Sequence, residues 1–180
     1  MKFMIASDIH GSEYFCKKML EAYEREQADR LLLLGDLLYH GPRNELPREY
    51  SPKGVISLLN PFREKIFCVR GNCDSEVDQM VLEFPIMAEF CLISAGDRLI
   101  YATHGHVYNE SSLPPLQKGD ILLNGHTHIP KCTEYESFVY MNPGSVSIPK
   151  GESDHGYMTF DGAVFNWKKM DGSITAKYSL

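Results

Sequence analysis

Phe3-Met4-Ile5-Ala6-Ser7-Asp8-Ile9-His10-Gly11 sets the reading of the whole chain: an apolar run leads directly into a carboxylate and an imidazole two positions apart. The run reads as a buried strand, which puts the polar pair at that strand's carboxyl end. Ser12 is placed to cap a helix over about 13–27, where Phe15, Met19, Leu20 and Tyr23 recur at helical spacing. The unit is therefore strand, loop, helix. Four later segments repeat its first half, each a short apolar run followed by Asp, Asn or His beside a glycine.

Leu31 to Leu34 is continuously aliphatic, as expected of a strand buried on both faces, and Gly35-Asp36 ends it. A polar loop from Tyr39 to Pro47 and a short helical stretch over about 52–59 follow. Ile66 to Val69 is the third strand, ended by Gly71-Asn72-Cys73-Asp74. To this point the order β-α-β-α-β implies a parallel sheet. From about Met87 the period changes. Ala88 to Ser94, a Gly96-Asp97 turn and Leu99 to Thr103 read as a hairpin ending in His104-Gly105-His106. Ile121 to Leu123 then runs into Asn124-Gly125-His126-Thr127-His128. Phe138 to Met141, Tyr157 to Phe160, Ala163 to Trp167 and Ile174 to Tyr178 complete the pattern. This last third reads as mainly antiparallel, forming a second sheet packed on the first.

A chain of 180 residues without a repeat or a linker fits one α/β domain over residues 1–180. The formal charge of −6 argues against general nucleic-acid binding, which needs clustered Lys and Arg to release counterions from phosphates. Five cysteines (Cys16, Cys68, Cys73, Cys91, Cys132) form no C-x-x-C pair and read as reduced cytosolic thiols. The start of the chain is too weakly apolar for a signal peptide, and no run approaches the ~18–20 residues of a membrane span. A cytoplasmic location is the expectation.

Ligands of open α/β sheets bind beside the carboxyl ends of strands. Asp8, His10, Asp36, Asn72, His104, His126 and His128 each follow a strand directly, so all seven are expected in one cleft. Four imidazoles, two carboxylates and a carbonyl oxygen exceed one tetrahedral zinc site. They suit two divalent ions that share a bridging carboxylate, for which Asp36, alone on its loop, is the choice.

The order D-x-H, G-D, G-N-x-D, H-G-H, G-H-T-H resembles the calcineurin-like metallophosphoesterase superfamily, with all five blocks in sequence over residues 8 to 128. S-D-I-H-G, H-G-P-R-N, G-N-C-D-S-E-V-D-Q-M and N-P-G-S-V-S-I-P-K-G are similar to a YfcE-type bacterial phosphodiesterase group across nearly the whole chain. The resemblance implies a two-sheet sandwich flanked by helices (αββα). It puts Asp8, His10, Asp36 and His128 on one metal, and Asp36, Asn72, His104 and His126 on the other. It also implies Mn²⁺ as activating ion, with Fe, Zn, Co or Ni permitted by the ligand types. A hydroxide shared by the two ions would attack a small phosphodiester in line.

One position departs from the superfamily pattern. Cys73 stands where many members carry a His that protonates the leaving oxygen, help typically worth 10²–10⁴-fold. A thiol is the poorer donor, so modest turnover and a bias to diesters with good leaving groups are expected. Cys73 thus reads either as a catalytic group, oriented by Asp74, or as a small space-filling residue. Arg43 reads either as a bidentate phosphate ligand or as a solvated loop residue. His106 is expected beside the ligands or at the surface rather than among the ligands, and His40 and His155 as loop residues bonded to backbone or solvent. No membrane partner is expected, and homo-oligomerisation is left open. Two rival readings stand beside the phosphodiesterase: a catalytically weak or inactive phosphoesterase-fold scaffold that works by protein binding, and a phosphomonoesterase or nuclease.

Overall fold

The computed structural model describes residues 1–180. Strand β1 (Phe3–Ala6) is buried throughout because it lies inside a six-stranded sheet with a packed layer on each face. Met4 and Ala6 point to the helices, while Phe3 and Ile5 point to the second sheet. Helix α1 (Glu13–Glu26) starts at Ser12, whose hydroxyl accepts from the Phe15 N–H at 3.2 Å, and stops where Gln27 turns left-handed. β2 (Arg30–Leu33), α2 (Pro52–Leu59) and β3 (Ile66–Cys68) complete the parallel β-α-β-α-β unit.

The remaining elements are α3 (Glu76–Gln79), β4 (Cys91–Ala95), β5 (Arg98–Ala102), β6 (Asp120–Leu123), β7 (Pro130–Glu134), β8 (Phe138–Pro143), β9 (Gly156–Phe160), β10 (Val164–Lys169) and β11 (Ile174–Ser179). The first sheet has the order β11-β10-β9-β1-β2-β3 and the second β4-β5-β6-β8-β7. Two expectations are corrected here. The last three strands do not build the second sheet; β9 pairs antiparallel with β1 and carries β10 and β11 on the first. Within the second sheet, β5, β6 and β8 are mutually parallel. The cause is burial: Tyr157 packs with the helix layer while Met158, Phe160, Phe165 and Trp167 join the inter-sheet core.

The two sheets meet face to face over Leu32, Leu34, Ile121, Leu123, Val139 and Met141, among others. Each such side chain contributes about 1.5–3 kcal/mol when fully buried. Helices cover only the outer face of the first sheet. Over the second, Tyr101, Leu122, Phe138 and Tyr140 are roofed by Tyr108 and Leu116 from the connection between β5 and β6, a segment with Pro114-Pro115 and no helix. At the amino end of β1, the buried Glu26 carboxylate is held by Lys168 at 2.7 and 2.9 Å, Lys2 at 3.1 Å and the Tyr157 hydroxyl at 2.8 Å.

Candidate metal centre

The loops after β1, β2, β3, β5 and β6 meet at the opposite, carboxyl rim. Asp8, His10 and Gly11 donate their backbone N–H groups to the carbonyls of Gly35, Asp36 and Leu37, which lashes the first loop to the second. Ser145 and Ser147 support the first loop from beneath by donating to the carbonyls of Asp8 and Ile9. The packing leaves no room for side chains where backbones cross. A Cβ on Gly71 would meet Asp36 Oδ1 at 2.1 Å, and one on Gly125 would meet Ser7 Oγ at 1.9 Å. Asp8, His10, Asp36, His126 and His128 all have φ between 49° and 65°, a region that costs a non-glycine residue about 1–3 kcal/mol.

That backbone brings all seven expected ligands together. His10, His104 and His128 place Nδ1 at 2.8, 2.6 and 2.7 Å from the carbonyl oxygens of Tyr39, Leu34 and Ile148. A carbonyl only accepts, so each Nδ1 carries a proton and each Nε2 faces the cluster. His10 Nε2, His128 Nε2 and Asp8 Oδ1 form one half: 3.2 Å separates the nitrogens, which lie 3.5 and 3.1 Å from the oxygen. His104 Nε2 centres the other half, 3.1 Å from Asn72 Oδ1 and 3.2 Å from His126 Nδ1. Asp36 Oδ2 stands between them, 3.6 Å from His10 Nε2 and 3.4 Å from His104 Nε2.

The donor set fits divalent cations. Asp8 Oδ2 accepts from the Ser7 hydroxyl and the His126 N–H, yet Asp8 Oδ1 is fully buried with no donor. A buried carboxylate oxygen without a partner is costly, and a metal ion removes the cost. The protonation pattern expresses the same demand. Burial opposes a charge on Asp8, but the imidazoles of His10 and His128 beside it outweigh the burial and hold the carboxyl well below its ordinary range. Burial likewise disfavours a charge on His104, but Asp36 and Asp8 push its pKa up to about 9. The carboxylates thus draw positive charge inward, and these residues could hold a divalent ion in place of the proton.

The centre opens into a cleft of about 380 Å³. Cys73 lines it, donating its N–H to Asp36 Oδ1 at 2.8 Å while its sulfur accepts from Asn72 Nδ2 at 3.2 Å. Burial, then the charge of Asp36, pushes the thiol up to about 12, so the proton stays on sulfur at neutral pH. Asp74 does not line the cleft. Its buried carboxylate accepts the N–H groups of Asp36, Gly71 and Leu37 at 2.8, 2.7 and 2.9 Å and so clamps the second loop to the third. Arg43 lines the cleft, and so does Lys150, which the sequence reading passed over. Only its place in the I-P-K-G block marked it. His106 is exposed, its ring 5.4 Å from that of His104. His155 stacks on Phe15 and pairs with the Val146 carbonyl, and His40 packs edge-on between Tyr39 and Tyr50.

A two-sheet sandwich with imidazoles and carboxylates gathered at one rim is the architecture of a metal-dependent phosphoesterase. The chain belongs to the calcineurin-like phosphoesterase superfamily, whose domain model matches residues 1–163. Over 181 aligned residues it is 44% identical to phosphodiesterase YfcE of Escherichia coli K12, covering 100% of this chain and 98% of that protein. The solved structure of that phosphoesterase superposes with a TM-score of 0.95 over 99% of both chains. Vacuolar protein sorting 29 from Cryptosporidium parvum shares the fold at a TM-score of 0.63 and 16% identity, covering 99% of this chain and 98% of the other, a likeness of fold alone.

Proposed function

We propose that this protein is a cytoplasmic phosphodiesterase that hydrolyses a small phosphodiester at a dinuclear, manganese-activated centre. The observation that carries the reading is the pair of donor sets joined by Asp36 Oδ2. Asp8, His10, Asp36 and His128 would hold one ion, and Asp36, Asn72, His104 and His126 the other. Such ions lower the pKa of water so that hydroxide forms near neutral pH, and they neutralise charge developing on phosphoryl oxygens. The diester preference follows the relative that is 44% identical, and five unpaired thiols support the cytoplasmic location. No helix is long and apolar enough to cross a membrane. All 180 residues would act as a single domain.

The chain's own groups divide the remaining work. The carbonyls of Tyr39, Leu34 and Ile148 fix the imidazoles, and Asp74 fixes the loops that carry Asp36 and Asn72, which makes it a positioning residue. Arg43 lies where a guanidinium can hold a phosphate oxygen bidentately. Cys73 keeps its proton near neutral pH and donates it reluctantly, which favours esters whose leaving oxygen needs little protonation. The test is a chelator-stripped protein reconstituted in turn with Mn²⁺, Fe²⁺, Zn²⁺, Co²⁺ and Ni²⁺, assayed on a chromogenic phosphodiester and the matching monoester. Highest turnover of the diester with Mn²⁺ is expected. Absence of metal-dependent turnover with every ion would favour the protein-binding scaffold instead, and preference for the monoester would favour a phosphomonoesterase.

A further inference from the structure

The metal centre opens into the first cleft, and a second cleft reaches it only at His126. His126 and Thr127 line both. The first cleft, already described, carries Arg43 on the loop after β2 and Lys150 on the loop before β9. Neither side chain makes a hydrogen bond inside the protein, and neither has a carboxylate within 4.0 Å. The other cationic side chains that approach acids find them at Glu26, Glu21, Glu49, Glu83, Glu110 and Asp154. The only acid in the first cleft is Asp36, which is turned to the imidazoles. Two uncommitted cations on separate loops, at the mouth of a site in a chain of net charge −6, therefore define an anion-binding wall.

The second cleft, of about 280 Å³, has the opposite character. Asn109, Ser111 and Tyr140 line it, and its charged group is Glu110, whose carboxylate is already held by Lys131 at 2.8 and 3.0 Å and by the Tyr135 hydroxyl. An anionic substituent placed there meets a carboxylate and finds no free cation. A neutral, hydroxyl-bearing substituent meets amide and hydroxyl groups.

We infer that the substrate is an asymmetric phosphodiester: one substituent carries a further phosphate seated between Arg43 and Lys150, and the other is neutral and lies toward Asn109 and Ser111. The inference rests on the phosphodiesterase reading and adds the substrate class to it. Two chromogenic esters that differ by one phosphate test it, the p-nitrophenyl ester of thymidine 5′-phosphate and the same ester carrying a 3′-phosphate. With the manganese-loaded enzyme, kcat/KM is expected to be about tenfold higher for the 3′-phosphorylated ester, which corresponds to about 1.4 kcal/mol. Lys150→Gln is expected to bring that ratio toward one, chiefly through KM. Calorimetric titration supplies a second readout: wild-type protein should bind thymidine 3′,5′-bisphosphate more tightly than thymidine 5′-phosphate, and Lys150→Gln should abolish the difference. Turnover of both esters without preference in the wild type, or a Lys150→Gln variant that slows both esters by the same factor, would overturn the inference alone. No metal-dependent turnover of either ester would overturn the phosphodiesterase reading and this inference together.

Discussion

Two buried acidic clusters stand at opposite ends of β1, and they solve the problem of a buried carboxylate differently. At the amino end, Glu26 finds two lysines and a tyrosine hydroxyl, and both of its oxygens are satisfied by the chain itself. At the carboxyl end, Asp8 leaves one oxygen without a donor and faces imidazoles whose outer nitrogens are committed to carbonyls. The first cluster closes the fold. The second leaves a carboxylate oxygen and inward-facing imidazoles that a cation would satisfy together, which marks it as a site where burial alone would not.

The comparison breaks first at Asp36. Asp36→Asn is expected to lower metal-dependent diester turnover by more than about 10²-fold, beyond the loss typical of a group that merely supports a ligand. Elemental analysis should show fewer than two bound ions; two ions and wild-type turnover in that variant would remove the bridging assignment. Next comes the response to metal. Manganese at about 100 times its dissociation constant stabilises by about 2.7 kcal/mol per site, so the stripped protein should gain roughly 5–10 °C in Tm for one site. An unchanged melting curve would show that the carboxyl-end cluster is satisfied without a cation.

The opposite cluster should ignore metal. Glu26→Gln is expected to cost about 1–2 kcal/mol in urea unfolding, by the same amount with and without manganese, because two lysines lose their counter-charge. Its pH dependence has a definite sign. Burial opposes the Glu26 charge, but Lys168, Tyr157 and Lys2 outweigh it and lower the carboxyl below the ordinary glutamate value. Its contribution is therefore full above that value and is lost as pH falls through the lowered one. The gap between wild type and Glu26→Gln should shrink on acidification; a gap that widens would reverse the assignment. The smallest effect is at Cys73, where Cys73→His should shift the monoester-to-diester ratio by about tenfold or less, below the roughly 10²–10⁴-fold of full general acid help because only the difference between two ester types is read. Unchanged kinetics on both esters would mark the sulfur as space-filling.

Much of the carboxyl-end cluster was legible in the chain because its chemistry is local. Asp8, Asp36, Asn72 and His104 each follow a short apolar run at once, and a strand end fixes where such a residue must lie. Ser145 and Ser147 were legible only as part of a familiar block, since their partners are the carbonyls of Asp8 and Ile9, more than 130 positions away. The return of β9 to β1 was hidden for a similar reason: period-2 patterning gives a strand's faces but not its neighbour. β7 escaped because four of its five residues are exposed, which leaves no apolar alternation. Four-residue α3 did carry a signal, the Ser75 and Asp78 capping box, without the apolar run that normally accompanies one. Lys150 carried none beyond its block, since an exposed lysine in a loop looks like any other.

The left-handed backbone at Asp8, His10, Asp36, His126 and His128 has an evolutionary consequence. Glycine would relieve the strain at each position, so selection for a sturdier chain acting alone would erode the ligands one after another. Five metal-competent side chains at such positions make the rim a costly part of the fold, and replacing any one of them by glycine would trade its donor atom for backbone relief.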